Sequence, residues 1–316
     1  MKYTATKYGL SYEYDFDDGS CKICPTNEKL VVPDTQYKYY SLADHNIDAL
    51  IHGYIYASHP FELNDYFDCC TELISYDNPN EIRKIFRSDT EGFNEYMRES
   101  QQSRDAQKVF SIAHWHLTYS KRGIVSLTPH KDNSLMWAHY AHNEGFVIGF
   151  DYRKFPFSFI GPFPIQYIDS FNAISLYEMP IEIAELIQPT VKSKDWEYEE
   201  EWRILPLDQN PPMLISGIIN ANIYGGHERK FNYPIDAVKS ITLGHRFFRI
   251  EEMQTISDNE LKILIKPNCN DKRTKVLNYL SCYHFDTRIA YAESFQIKEI
   301  PVVISRNEDC YTIKIK

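Results

Sequence analysis

The chain has 316 residues, 43% apolar and 25% charged, which allows one large domain or two small ones and is the make-up of an ordinary globular protein. Its net charge of -10 argues against a broad nucleic-acid or anionic-membrane footprint, although a local basic groove, and with it nucleic acid, is not excluded. No apolar run approaches the roughly 20 residues that span a bilayer, and the first residues lack the apolar core of a signal peptide, so the chain reads as cytoplasmic with no membrane partner.

The seven cysteines are odd in number and irregular in spacing, as reduced thiols are. Cys21 and Cys24 have metal or redox spacing, but no second Cys or His pair of zinc-finger spacing follows them. With 24 Tyr and 18 Phe the chain is rich in rings suited to stacking and to core packing.

Residues 1–34 are polar and turn-rich and read as an N-terminal extension to a single domain over 35–316. That domain opens on an aromatic strand, Tyr37–Tyr40, and a helix for which Ser41 is the expected N-cap, with Asp44 three residues on. Gly53 is its expected stop. A strand at Tyr54–Ser58 leads into the loop Pro60–Asp68. Residues 79–118 read as two or three helices with Ile82, Ile85, Phe86, Phe93, Tyr96, Met97, Val109, Phe110 and Ile112 on their buried faces. His114 and His116 read as surface or packing residues rather than ligands.

Gly123–Thr128 predicts a strand, and Asn133–His142 a helix on which Met136, His139 and Tyr140 share one surface by their three- and four-residue spacing. Strands at Phe146–Asp151 and Pro164–Asp169 follow, then a helix over 171–188. Beyond Trp202–Pro206 come a strand and turn at Met213–Tyr224, a strand at Ala237–Gly244, helices over 250–265 and 271–283, and strands over 287–291, 295–304 and 311–316. Together these predict an α+β fold: a split or strongly twisted mixed sheet flanked by helices.

Between Pro164–Asp169 and Trp202–Pro206 lies the most unusual stretch, Lys192–Ile204. Glu199, Glu200 and Glu201 are consecutive and repel one another. Read as a strand, the run alternates faces, placing Glu199, Glu201 and Arg203 on one side and Glu200 on the other. The plain reading is a solvated edge whose acids are countered by Arg203, Lys192 and Lys194.

Three stretches carry a resemblance: Tyr37–Ser41 with Phe61–Asp68, Ser126–Thr128 with Leu135–Tyr140 and Gly145–Asp151, and Trp196–Ile204. Together they resemble the bacterial domain-of-unknown-function family numbered 2971, over about Tyr37 to Gly244. Tyr66 departs from it, standing where the family usually has proline. The order of parts more remotely resembles the ADP-ribosyltransferase superfamily, and that likeness implies an NAD-dependent glycosyl transferase or NAD glycohydrolase. It also implies a toxin or phage-defence setting.

On that resemblance NAD is the cofactor and Glu201 the catalytic carboxylate, which would stabilise the oxocarbenium charge that ribose carries only in the transition state. Glu199 becomes the accessory acid and Tyr140 the nicotinamide-stacking ring. Trp137 and His139 line the same pocket, Tyr39 holds the ribose in place of the superfamily's His or Arg, and Lys38 or Arg203 contacts phosphates. The acceptor macromolecule is unspecified.

Two rival readings stand beside this one. In the first, Asp65, Asp68, Glu199 and Glu201 hold a Mg²⁺-type ion in a hydrolase or nuclease; the plainer reading of Asn64 and Asp65 is a side-chain-capped turn. In the second, the protein is a non-catalytic module recognising a nucleotide, a dinucleotide or a protein, in which Glu199, Glu201 and Arg203 form a structural ion-pair network.

Overall fold

The computed structural model describes residues 1–102, 104–119, 122–207, 229–267 and 269–316. The strand and turn expected at Met213–Tyr224 lie outside the described residues. The fold is mixed α+β, and by its contacts the chain falls into two compact units, each drawn from three stretches.

The first unit comprises Met1–Val32, Tyr56–Ser126 and Phe157–Phe231. Its N-terminal stretch is an antiparallel meander of Lys2–Lys7, Leu10–Asp15 and Cys21–Pro25, where a turn-rich extension was expected. The period of two along Leu10–Asp15 turns Leu10 and Tyr12 inward. With Ile23 they join a core built on Phe163, Ile183, Ile187 and Leu205. The Tyr12 hydroxyl is satisfied there by the Thr190 hydroxyl, 2.7 Å away.

The helix expected over 171–188 is confined to Ile181–Ile187, and Ile174–Ser175 is instead a strand parallel to Ile74–Ser75. Pro180 explains the late start, because it has no N–H for an earlier turn and its ring would clash with one. The helices Pro79–Phe86, Thr90–Gln102 and Arg104–Tyr119 bear out the reading of 79–118. They bury Ile82, Phe86, Tyr96 and Phe110 as one cluster. Val109 and Ile112, expected on that buried face, are exposed.

Two strand pairs frame the acidic stretch. Gln166–Ile168 runs parallel to Val191–Ser193, and Phe159–Pro164 runs antiparallel to Trp202–Pro206, whose five residues are all buried.

The second unit comprises Pro33–Ile55, Leu127–Pro156 and Asn232–Lys316. It holds a mixed eight-stranded sheet in the order Met253–Ser257, Glu260–Ile263, Tyr311–Ile315, Gln296–Arg306, Thr287–Glu293, Val238–Leu243, Phe146–Phe150, Gln36–Tyr40. Only the pair Val238–Leu243 and Thr287–Glu293 is parallel. Helix Lys272–Cys282 lies on this sheet through Val276, Leu277 and Leu280, with helix Asp44–His52 packed beside it, and Ser134–Ala141 packs on the strand Gln36–Tyr40.

Two local expectations change here and one holds. The segment read as a helix over 250–265 is a hairpin, Met253–Ser257 paired with Glu260–Ile263 around Asp258 and Asn259. Thr255 and Ile256 suit strands, and an Asp-Asn pair suits a turn. Ser41 does not cap the first helix, which begins at Asp44 after Ala43 without any side-chain cap. Gly53 does end it, in the left-handed region at φ 67°.

Candidate functional site

The acidic stretch does not form one strand. Lys194–Glu199 is a short 3-10 helix begun by Ser193, whose hydroxyl accepts from the Asp195 N–H at 3.4 Å. Glu200 then turns the chain through the left-handed region at φ 43°, and the strand begins at Trp202. Glu199 and Glu201 still point inward, at 2% and 3% exposure, and Glu200 outward. The expected faces hold, but a helical turn and a reversal produce them rather than a pleat.

Inside the first unit these carboxylates meet Lys192 on the strand Val191–Ser193, Arg203 on Trp202–Pro206, and Asp68 from the end of the loop after Pro60. All five side chains are buried. Lys192 Nζ lies 2.6 Å from Glu199 Oε2, 3.1 Å from Glu201 Oε2 and 3.8 Å from Asp68 Oδ2. The Trp196 ring is 4.9 Å from the same ammonium.

Arg203 spends every N–H it has. Nε and one terminal nitrogen donate to the two oxygens of Glu201, at 2.7 and 3.1 Å. The terminal nitrogens also donate to both Asp68 oxygens, at 2.9 and 2.5 Å, and to the Pro189 carbonyl at 3.0 Å. A guanidinium has five donors, and these bonds use all five.

Glu201 is equally occupied. It accepts twice from Arg203, once from Lys192 and once from the Ser126 side chain, matching the four lone-pair positions of a carboxylate. Its backbone is fixed as well: its N–H donates to the Tyr167 hydroxyl at 2.7 Å, and its carbonyl accepts from Ile165 at 2.9 Å. Burial pushes the Glu201 carboxyl up, but the charges of Arg203 and Lys192 outweigh it and hold the group below the ordinary carboxylate range. Burial also pushes Asp68 up, against Arg203, and for Asp68 burial prevails.

The loop that delivers Asp68 is tied at its other end too. Arg229, wholly buried, donates to Glu62 Oε1 at 2.9 Å and to the Tyr56 hydroxyl at 2.6 Å, while Glu62 Oε2 accepts from the His59 N–H at 2.8 Å. Between these anchors Asp65 Oδ1 accepts from the Phe67 N–H at 3.0 Å, the side-chain-capped turn anticipated for Asn64 and Asp65. The loop holds Phe61, Tyr66 and Phe67 at 65%, 78% and 58% exposure. Tyr66 edges a cleft of about 820 Å³, and Phe67 a second of about 370 Å³.

The metal reading does not find its geometry. Asp68, Glu199 and Glu201 do converge, but the point between them is filled by Lys192 Nζ. Among the described residues no three His, Cys, Asp or Glu side chains are arranged to hold a metal ion.

Sequence reasoning missed a second polar assembly in this unit. His114 Nδ1 is 2.9 Å from the Tyr76 hydroxyl, and its Nε2 is 3.1 Å from Glu185 Oε1. His59 and His116 stack with centroids 4.9 Å apart. His59 Nδ1 accepts from the Phe61 N–H, so protonation there would cost that bond. Burial, with the nearby His116 and Arg229, pushes His59 down to about 3. The sequence holds no local signal for these partnerships, because Tyr76, His114 and Glu185 lie on segments far apart in the chain.

The remaining predicted site residues belong to the second unit. Tyr39 is a core residue: its ring meets Trp137 edge to face at 5.4 Å, and its hydroxyl donates to the His130 carbonyl at 3.1 Å. Trp137 is fully buried and donates its indole N–H to the Lys131 carbonyl at 2.9 Å. Lys38 lies 5.9 Å from the Tyr40 ring centre.

On helix Ser134–Ala141, started by Asn133 accepting from Leu135 and Met136, His139 is exposed and Tyr140 half-buried, their rings 6.5 Å apart. Met136, expected on their surface, is buried instead. This unit has its own charged group, a buried Glu299 bonded by Lys131, by the Thr242 hydroxyl at 2.8 Å and by Arg288 at 3.5 Å.

Among the described residues no helix is long and apolar enough to cross a membrane. No curated protein and no solved structure matches the chain. The comparisons do not extend to the ADP-ribosyltransferases. What they do show is a match to one family model, described as a protein of unknown function (DUF2971), over residues 136–204, a span that runs from the helix holding Trp137, His139 and Tyr140 to the strand holding Arg203.

Proposed function

We propose that this chain is a binding protein of the nucleotide- or protein-recognising kind, in which the five buried charges are a structural knot and recognition falls to aromatic side chains at the surface. The observation that carries this reading is saturation. Arg203 has no donor left for a phosphate, and Glu201 has no lone pair left for a ribose hydroxyl. A catalytic carboxylate must touch what it stabilises, and here the contact would first require Lys192, Arg203 or Ser126 to let go.

A second reading, NAD-dependent glycosyl transfer by Glu201, draws on one observation: the carboxylate is held ionised, as charge stabilisation on ribose requires. Incubation of the protein with NAD separates the two. The binding reading expects no nicotinamide release above a buffer control, and a Glu201→Gln variant that differs from the parent only in stability. Nicotinamide release that Glu201→Gln abolishes, in a variant melting like the parent, would reverse the order of the two.

A further inference from the structure

We propose that the cleft of about 370 Å³ in the first unit, edged by Phe67 and Phe171, is a binding site for a small organic cation bearing a quaternary nitrogen. The proposal rests on the binding-protein reading only in giving recognition to exposed aromatic side chains, and it adds a small cationic ligand to the nucleotide or protein named there.

The volume falls within the range of small-molecule sites. The walls are the Phe67 and Phe171 side chains with Leu73 and Val191, and Asp169 stands at the rim with its side chain 83% exposed. Phe67 keeps a large apolar ring 58% exposed on a loop anchored at both ends by wholly buried arginines. A fixed ring held open to solvent is a preorganised contact surface, so little ordering cost remains for a ligand.

Charge selects the ligand. Aromatic faces attract cations. The cation in the cleft wall, Lys192, is neutralised from behind, since its ammonium lies within 3.8 Å of three carboxylates. Three carboxylates against Lys192 and Arg203 leave the knot with one net negative charge. Asp169 adds another at the rim, countered by Lys194 only across 3.8 Å in an exposed pair. From His59 to Ile82, the segment that supplies Phe67 and Leu73, there are five acids besides Asp68 and no Lys or Arg. An anion would meet a net negative surround, with Lys192 already committed to the knot.

A primary ammonium would need acceptors for three protons, and among the polar side chains of the cleft the Ser193 hydroxyl is already bonded to Asp195 and the exposed Asp169 is already paired with Lys194. A quaternary nitrogen has no proton to satisfy and exchanges water for ring faces at little cost.

Two sources of such a group, an aliphatic trimethylammonium and a flat N-alkylpyridinium, are told apart by titrating the full chain calorimetrically with choline and with N-methylpyridinium. The expected result is one saturable site for at least one of them, the tighter of the two naming the source. The neutral carbon isostere of choline, with a tert-butyl group for the trimethylammonium, should bind about tenfold more weakly if choline is the ligand. Phe171→Ala should weaken the favoured cation by about tenfold; Phe67→Ala, which removes an exposed ring and leaves the core intact, should do so too.

The proposal is overturned if neither cation binds, if benzoate binds as well as the cations, or if both phenylalanine variants bind like the parent. These outcomes are distinct from failure of the binding-protein reading, which shows as Glu201-dependent nicotinamide release whatever the cations do.

Discussion

The knot around Arg203 and the group around Glu299 use the same chemistry in different solvents. In the first unit both cations are buried with their carboxylates, Lys192 at 3% and Arg203 at 0% side-chain exposure. In the second unit the carboxylate is buried but its cations reach water, Lys131 at 33% and Arg288 at 32%. An ion taken wholly out of water costs several kcal/mol unless every polar atom finds a partner, whereas one that keeps a wet face can fall back on solvent. The knot is therefore an all-or-nothing assembly, and the Glu299 group a graded one.

That difference sets the order of expected effects in equilibrium unfolding. Arg203→Met leaves Asp68 and Glu201 buried with Lys192 alone and should cost about 3–5 kcal/mol, with loss of folding at the upper end. Glu299→Gln, whose partners turn to water, should cost about 1–2 kcal/mol. A cost at Glu299 as large as that at Arg203 would break the comparison.

His59 supplies a separate, pH-dependent effect. Its folded value lies below its unfolded one, so the unfolded chain takes up the proton first as the pH falls. Its contribution is complete above about pH 6.5 and is lost from there down toward about pH 3, at up to about 1.4 kcal/mol per pH unit. The melting temperature of the parent should fall more steeply through that window than that of His59→Gln; parallel slopes would assign the acid sensitivity elsewhere. Smallest of all, Glu200→Gln, one residue from the knot but facing solvent, should change stability by no more than about 0.5 kcal/mol.

Part of this was legible in the sequence. The strands Gln36–Tyr40, Phe146–Phe150, Trp202–Pro206 and Val238–Leu243, and the helix begun by Asn133, follow from periodicity and capping chemistry. The inward turn of Glu199 and Glu201 was readable too, although by a mistaken route, because alternation in a strand and a 3-10 turn followed by a reversal give the same faces.

What could not be read is depth. The pairing of Lys192 and Arg203 with the acids is visible in the sequence, but the same residues would suit a solvated edge, and only the burial of Trp202–Pro206 makes the difference. Asp68 lies 135 residues before Arg203, and no local pattern joins them. Tyr39 and Trp137 show the converse: aromatic residues that suggest a pocket are packed against each other, their polar atoms committed to backbone carbonyls.

The central claim, that Glu201 acts as one member of a cooperative buried network, is tested most directly by a double-mutant cycle in stability between Glu201→Gln and Arg203→Met. The predicted result is a coupling of about 2 kcal/mol or more, since each change removes partners the other depends on. Costs that add to within about 0.5 kcal/mol would contradict it and leave Glu201 free for another role.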